Sequence, residues 1–178
     1  IDVYLDLSNR KEYDAAHSDL VSYLKKSTAD KEQFLLSIQH LNPQKHAQAL
    51  WAWKQLHQYD RILAEQLVRI EKLKQLCVHG KLGAACDWIE DFIENDEKLV
   101  LFTHHKDIQQ VLIDRFPAAV HIIGSDSLID RDKAVQAFQN NKGIKLIVCS
   151  LKAASEGITL TAASNVAFLE YPWTPAEV

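Results

Sequence analysis

The 178 residues include no methionine, only three cysteines and only five glycines, and lysine plus arginine (20) fall short of aspartate plus glutamate (24). Each shortage excludes something. Three cysteines (Cys77, Cys86 and Cys149) at wide spacing cannot form the framework of a small secreted domain. They read as small buried apolar side chains in a reducing setting. A net charge of −4 gives no general attraction to polyanions, so any nucleic-acid contact must come from a local patch. No run approaches the roughly 20 apolar residues that cross a bilayer. Gly-x-x-x-x-Gly-Lys-Ser/Thr is absent, which excludes a phosphate-binding loop of that type. Gly-x-Ser-x-Gly is also absent, so neither Ser150 nor Ser155 is the nucleophile of an α/β hydrolase. The chain opens on Ile1 and stops at Val178 inside what reads as a new helix, so both ends read as cuts in a longer polypeptide.

Two halves differ in pattern. In the first, residues 1–7 alternate, with Val3, Leu5 and Leu7 on one face, which predicts a half-buried strand. Ser8 is placed to cap a helix through Tyr13, Ala16, Leu20 and Leu24. Residues 25–30 are polar and read as a loop. Residues 31–79 contain no glycine, and Pro43 is the sole break. Leu56, Tyr59, Leu63, Leu67, Ile70, Leu73 and Cys77 follow at steps of three or four, one apolar face of a long helix over about 44–79.

The second half alternates helix and strand. Leu82, Ala85, Ile89, Phe92 and Ile93 mark an amphipathic helix. KLVLF (98–102), VHII (120–123), KLIVC (145–149) and NVAFL (165–169) are short apolar runs of the kind covered on both faces. Helices fall between them, one opened by the pair Ser127 and Asp130, which resembles a capping box. The pattern is α/β: a parallel sheet with helices on both faces, plus a helical extension. The expected division is residues 1–80, leading strand and helices, and residues 81–178, the α/β lobe.

In such sheets ligands bind beyond the carboxyl ends of the strands, and three loops there carry chemistry. Thr103-His104-His105-Lys106 offers a hydroxyl, two imidazoles and an ammonium, suited to phosphate oxygens. Alternatively Thr103 or His105 simply caps the next helix. No cysteine or carboxylate stands near the two histidines at zinc-ligand spacing, so no metal site is expected. Gly124-Ser125-Asp126-Ser127 combines a backbone open to close approach with a helix N-terminus that favours anions, though it also reads as a capped turn. Arg131, a cation in the first turn of that helix, opposes the helix dipole and is expected to pair with Asp130, Asp132 or something outside the chain. Residues 150–163 are rich in small side chains, with one glycine, one lysine and four hydroxyls. They could form a cradle for phosphate or ribose.

Taken in order, these stretches resemble a known family. KLVLFTHHKDI is similar to motif IV of SWI/SNF-type ATPases of helicase superfamily two. HIIGSDSLIDRDKAVQAFQ is similar to the stretch that follows it in that family. Residues 146–163 with NVAFLEYPWTPAEV resemble motif V and its continuation. VYLDLSNRKEYDAA resembles the start of the second lobe, and THHK with Thr159 most resembles the HARP-type, annealing-helicase-like branch. Ala154-Ser155 stands where the family commonly has Gly-Gly, and Thr159 where it often has Asn.

The resemblance implies the C-terminal RecA-like lobe of an ATP-dependent double-stranded-DNA translocase or remodeller, stopping before motif VI and its arginines. Thr103, His104, His105, Gly124, Ser125, Ser150, Lys152 and Ala153 would then face the DNA backbone. Glu156, Gly157 and Thr159 would lie near the nucleotide, and Trp173 and Pro175 would lead toward motif VI. No catalytic residue of its own is implied. ATP and Mg2+ would be bound mainly by a first RecA-like lobe of the same parent chain. The implied setting is intracellular, bacterial nucleoid or nucleus, with no membrane partner. The alternative is a protein-interaction module, with the long helix docking a partner and the α/β part serving as scaffold.

Overall fold

The computed structural model describes residues 3–56, 59–154 and 158–171. Its elements are α1 (Arg10–Ile38), α2 (Pro43–Leu56), α3 (Tyr59–Glu94), β1 (Leu99–Thr103), α4 (Lys106–Arg115), β2 (Val120–Ile122), α5 (Leu128–Asn140), β3 (Leu146–Ser150) and β4 (Asn165–Phe168). Two compact units result: Ser8–Cys77, and Ile1–Leu7 together with Val78–Val178. The division falls inside α3.

The α/β unit is built on a four-stranded sheet of order β2-β3-β1-β4, with every pairing parallel. Strand alternation sorts its side chains into two cores. Leu99 and Leu101 of β1 and Leu146 and Val148 of β3 point to one face. There they meet Val78, Ala85, Cys86 and Ile89 of α3 and Ile108 and Leu112 of α4. Val100, Ile147 and Cys149 point to the other face, against Ala134 and Phe138 of α5. Helices therefore cover both faces of β1 and β3, as their continuous apolar runs predict, whereas the edge strand β4 leaves Val166 exposed. Because the strands are parallel, all four carboxyl ends lie along one edge of the sheet.

The second unit, α1, α2 and the first part of α3, has a thin core around Leu20, Ile38 and Trp53. Trp53 stacks on Phe34 at 5.1 Å. Arg69 pairs with Asp19 and Glu65 and lies 4.3 Å over the Tyr23 ring.

Four expectations for the first half are corrected. Residues 3–7 join no sheet, although Leu5 still packs against the α/β core; alternation supplies an apolar face but not a strand to pair with. Asn9 rather than Ser8 occupies the N-cap of α1; its side chain makes no cap bond, and its amide nitrogen donates to the Leu76 carbonyl. Residues 25–30 are helical, not a loop. They hold no glycine or proline, and polarity alone does not break a helix; Ser27 there accepts a bond from Gln66 across to α3. The apolar stripe on α3 is rotated: Leu63 and Leu67 are exposed, while Ile62, Arg69, Ile70 and Leu73 are half-buried.

α3 also runs on through Gly80 and Gly83 where two separate helices were expected. A mid-helix glycine costs about 1 kcal/mol. Burial of Val78 and Ile89 on either side offsets it, each worth about 1.5–3 kcal/mol.

The central strand β3 is buried along its whole length, and burial pushes the Cys149 thiol up to about 12. Only the thiolate is nucleophilic. At pH 8 iodoacetamide is expected to leave Cys149 unmodified in the native chain, while half-buried Cys77 reacts. Guanidinium unfolding should expose all three cysteines equally by peptide mass spectrometry. Rapid native alkylation of Cys149 would contradict the central position of β3.

Candidate functional site

The buried polar side chains among the described residues are Thr103, His105, Gln109, Ser150 and Glu170, and every one stands at the carboxyl edge of the sheet. Thr103 and Ser150 are register partners at the ends of β1 and β3. Polar groups taken out of water need partners, and here the partner is chiefly one carboxylate. Glu170, two residues past β4, accepts from the Thr103 hydroxyl at 2.7 Å and from the His105 backbone N–H at 3.3 Å. His105 Nδ1 also bonds it. From the helix side, Gln109 donates to the His104 carbonyl at 3.2 Å. The last residue of β1 and both residues of the loop that leads to α4 are thus held.

The Thr103 and His105 side chains follow neither of the two readings given for them. His105 does occupy the N-cap of α4, but its side chain makes no cap bond, since its Nδ1 is committed to Glu170. Thr103 is fully buried and likewise turned inward. Neither side chain lies open at the surface. His104 is the half-buried member, set edge-on to the His105 ring at 5.2 Å between centroids.

The loop after β2 is tied just as closely. The Asp126 carboxylate accepts from the Ile123 N–H at 2.7 Å and meets His121 at 3.1 Å. Ser127 is the N-cap of α5: its hydroxyl accepts from the Asp130 N–H and donates to the Asp130 carboxylate. Gly124 and Ser125 remain exposed at the tip. A Cβ placed on Gly124 would meet nothing within 4 Å, and its backbone is outside the left-handed region. Nothing in the described residues requires glycine there.

Arg131 finds partners in neither of its acidic neighbours, contrary to the first alternatives for it. Its Nη1 donates to the Ala153 carbonyl and its Nη2 to the Ile123 carbonyl, both at 3.3 Å. It therefore clamps the loop after β2 to the loop after β3. In the latter, the N–H groups of Ala153 and Ala154 turn back on the Ser150 carbonyl at 3.1 and 3.0 Å. Lys152 is exposed and Ala153 half-buried. Glu156 and Gly157 lie outside the described residues, as do Trp173 and Pro175. Beyond them, Gln139 fastens the segment by donating to the Thr159 carbonyl and accepting from the Ala162 N–H; Thr159 itself is exposed.

The structure thus brings His104, Gly124, Ser125, Ser150, Lys152 and Ala153 to one edge. The residues that sequence reasoning missed are the ones that hold this edge: Glu170, Gln109 and Gln139. Glu170 had a readable signal, a lone acid directly after a core strand, which is seldom buried without a partner.

The model of the helicase conserved C-terminal domain matches residues 80–178. The human protein described as DNA annealing helicase and endonuclease ZRANB3 is 34% identical over 104 residues, covering 56% of this chain and 10% of the human one. The Drosophila melanogaster SWI/SNF-related matrix-associated actin-dependent regulator of chromatin subfamily A-like protein 1 is 32% identical over 100 residues, 54% of this chain and 13% of its own. The chain therefore spans about a tenth of the length of these relatives. Among solved structures, the Sulfolobus solfataricus SWI2/SNF2 ATPase core domain superposes with a TM-score of 0.60 over 99% of this chain and 35% of that one, at 23% identity. The C-terminal domain of the same ATPase gives 0.56 over 95% and 70%.

Arg131→Ala leaves two loop carbonyls without their donor. Lost hydrogen bonds to a charged group cost about 1.5–3 kcal/mol. A fall of that size in unfolding free energy is expected in guanidinium titrations, and a change below about 0.5 kcal/mol, the usual surface value, would contradict the clamp. With its sheet and the family match over residues 80–178 in view, the chain belongs to the helicase conserved C-terminal domain family, and its fold is like that of the SWI2/SNF2 ATPase C-terminal domain.

Proposed function

We propose that this chain serves as the second motor lobe of an ATP-dependent double-stranded-DNA translocase or remodeller. In this reading the carboxyl edge of the sheet lies on the DNA backbone. The observation that carries it is Gly124: an exposed glycine on a braced loop, with open space where its Cβ would stand. Such a position suits a phosphate that must approach backbone N–H groups closely. His104, Ser125, Lys152 and Ala153 share the edge and supply neutral and cationic donors. Thr103, His105 and Ser150 act from beneath, through the shape of the loops. Relatives described as an annealing helicase and a SWI/SNF-related regulator support the same reading. So does the likeness in fold to a Sulfolobus solfataricus SWI2/SNF2 ATPase core solved in complex with double-stranded DNA.

Glu156, Gly157 and Thr159 are assigned to the nucleotide side. The hydroxyls and small side chains of residues 153–161 suit ribose and phosphate oxygens better than they suit a metal, so Mg2+ and most contacts to ATP fall to a first RecA-like lobe of the parent. The chain by itself, lacking a phosphate-binding loop in its sequence, is expected to show no ATP turnover above a heat-killed control. Steady release of phosphate by the pure 178-residue chain would sink that assignment. The setting proposed is intracellular, at a nucleoid or in a nucleus.

A second reading, a partner-docking role for the helical unit, is favoured by exposed Leu63, Leu67 and Val68 on α3 and by Trp51 on α2. It is compatible with the motor role.

The test uses the complete polypeptide that carries this lobe and fluorescence anisotropy with duplexes of several sequences. Lys152→Ala should weaken binding evenly across sequences and reduce the log–log salt slope by about one, the signature of one lost phosphate contact. Gly124→Ala should keep the melting temperature and weaken binding severalfold. Unchanged isotherms for both variants would overturn the placement of DNA on this edge.

A further inference from the structure

We infer that Glu170 is the positioning residue of the DNA-facing loop: through Thr103 and His105 it fixes the backbone that presents His104. This inference rests on the proposed placement of duplex DNA. Glu170 is itself buried, and its carboxylate takes donors from Thr103 and His105, on either side of His104. The Thr103 hydroxyl anchors the end of β1. The His105 N–H and Nδ1 anchor the start of α4. Between them the His104 carbonyl is held by Gln109, and the His104 ring rests against the edge of the His105 ring. His104 thus has its carbonyl bonded to Gln109, a bonded neighbour of Glu170 on either side of it in the chain, and its ring against that of His105.

The position of Glu170 in the chain gives the anchor a second consequence. It stands two residues past β4, and the Leu169 N–H bonds the Phe102 carbonyl at 2.9 Å. The loop after β1 and the segment leaving β4 are therefore one braced unit, although 65 residues separate His105 from Glu170. A shift of the segment after β4 has to be shared by the loop that carries His104. A buried carboxylate with several donors has few alternative geometries, because each broken bond leaves a desolvated group behind.

The test measures ATP hydrolysis by the complete polypeptide against duplex concentration, with circular-dichroism melts of each variant. Variants are Glu170→Gln, Glu170→Asp, Thr103→Val, His104→Ala and the double variant Glu170→Gln with His104→Ala. Misplacing a binding group by about an ångström costs one to two orders of magnitude. Glu170→Gln is therefore expected to raise the half-saturating duplex concentration about tenfold, leaving the KM for ATP unchanged. Glu170→Asp should recover part of that, and Thr103→Val, which keeps the buried shape, should shift it in the same direction. The double variant should be no worse than His104→Ala alone, since Glu170 acts through His104.

Additive losses in the double variant, or a folded Glu170→Gln protein with normal duplex dependence, would overturn the positioning role. If Glu170→Gln does not fold, Thr103→Val decides: normal duplex dependence there overturns the role equally. If His104→Ala itself leaves duplex dependence untouched, the placement of DNA on this loop has failed instead.

Discussion

A single buried carboxylate organises the working edge of this lobe. Glu170 has been taken out of water at the end of the sheet, and its charge is accommodated by a hydroxyl, an amide and an imidazole that all come from the loop after β1. The loop follows from that requirement. Thr103 and His105 turn inward because their donors are needed there, and His104 is left as the residue that can face outward. The same economy recurs nearby: Asp126 satisfies the loop after β2, Arg131 spans that loop and the next, and Gln139 fastens the segment that returns to β4. Polar groups at the sheet edge are thus spent on shaping loops, and the surface is left to glycine, serine, lysine and small side chains.

Much of the α/β unit was legible in the sequence because its signals are local and strong. Four short apolar runs between helical segments read as strands of a parallel sheet, and Ser127 with Asp130 marked the start of α5 correctly. The three ligand loops could be placed because parallel strands put their carboxyl ends together. The helical half was harder to read. Alternation in residues 3–7 resembled a strand, but sheet pairing depends on a distant edge that no local pattern reports. Polar residues 25–30 resembled a loop, yet with no glycine or proline they stay helical. Leu63 and Leu67 fitted the apolar stripe, but which side of α3 is covered is decided by residues such as Gln66 and Arg69 that reach α1.

The site was legible by position and not by role. Thr103, His105 and Gly124 lie at or just past the carboxyl ends of their strands, but Thr103 and His105 turn inward, since a hydroxyl or imidazole at a strand end serves a ligand or a buried acid equally well. What distinguishes them is Glu170, 65 residues downstream of His105, and no spacing rule links the two. Arg131 shows the same limit: its conflict with the helix dipole announced a partner, and the partners proved to be two main-chain carbonyls rather than a neighbouring aspartate.

The chain carries a net charge of −4, so a lobe of this kind can engage a polyanion only through a few local contacts at that edge, and a motor coupled to them should respond to salt. The most direct measurement is ATP hydrolysis by the complete polypeptide with and without duplex DNA, at low and moderate ionic strength. Strong stimulation by duplex that weakens as salt rises is the result expected of a phosphate-tracking lobe. Hydrolysis indifferent to any nucleic acid at low salt would contradict it, and would leave the family resemblance as a matter of fold alone.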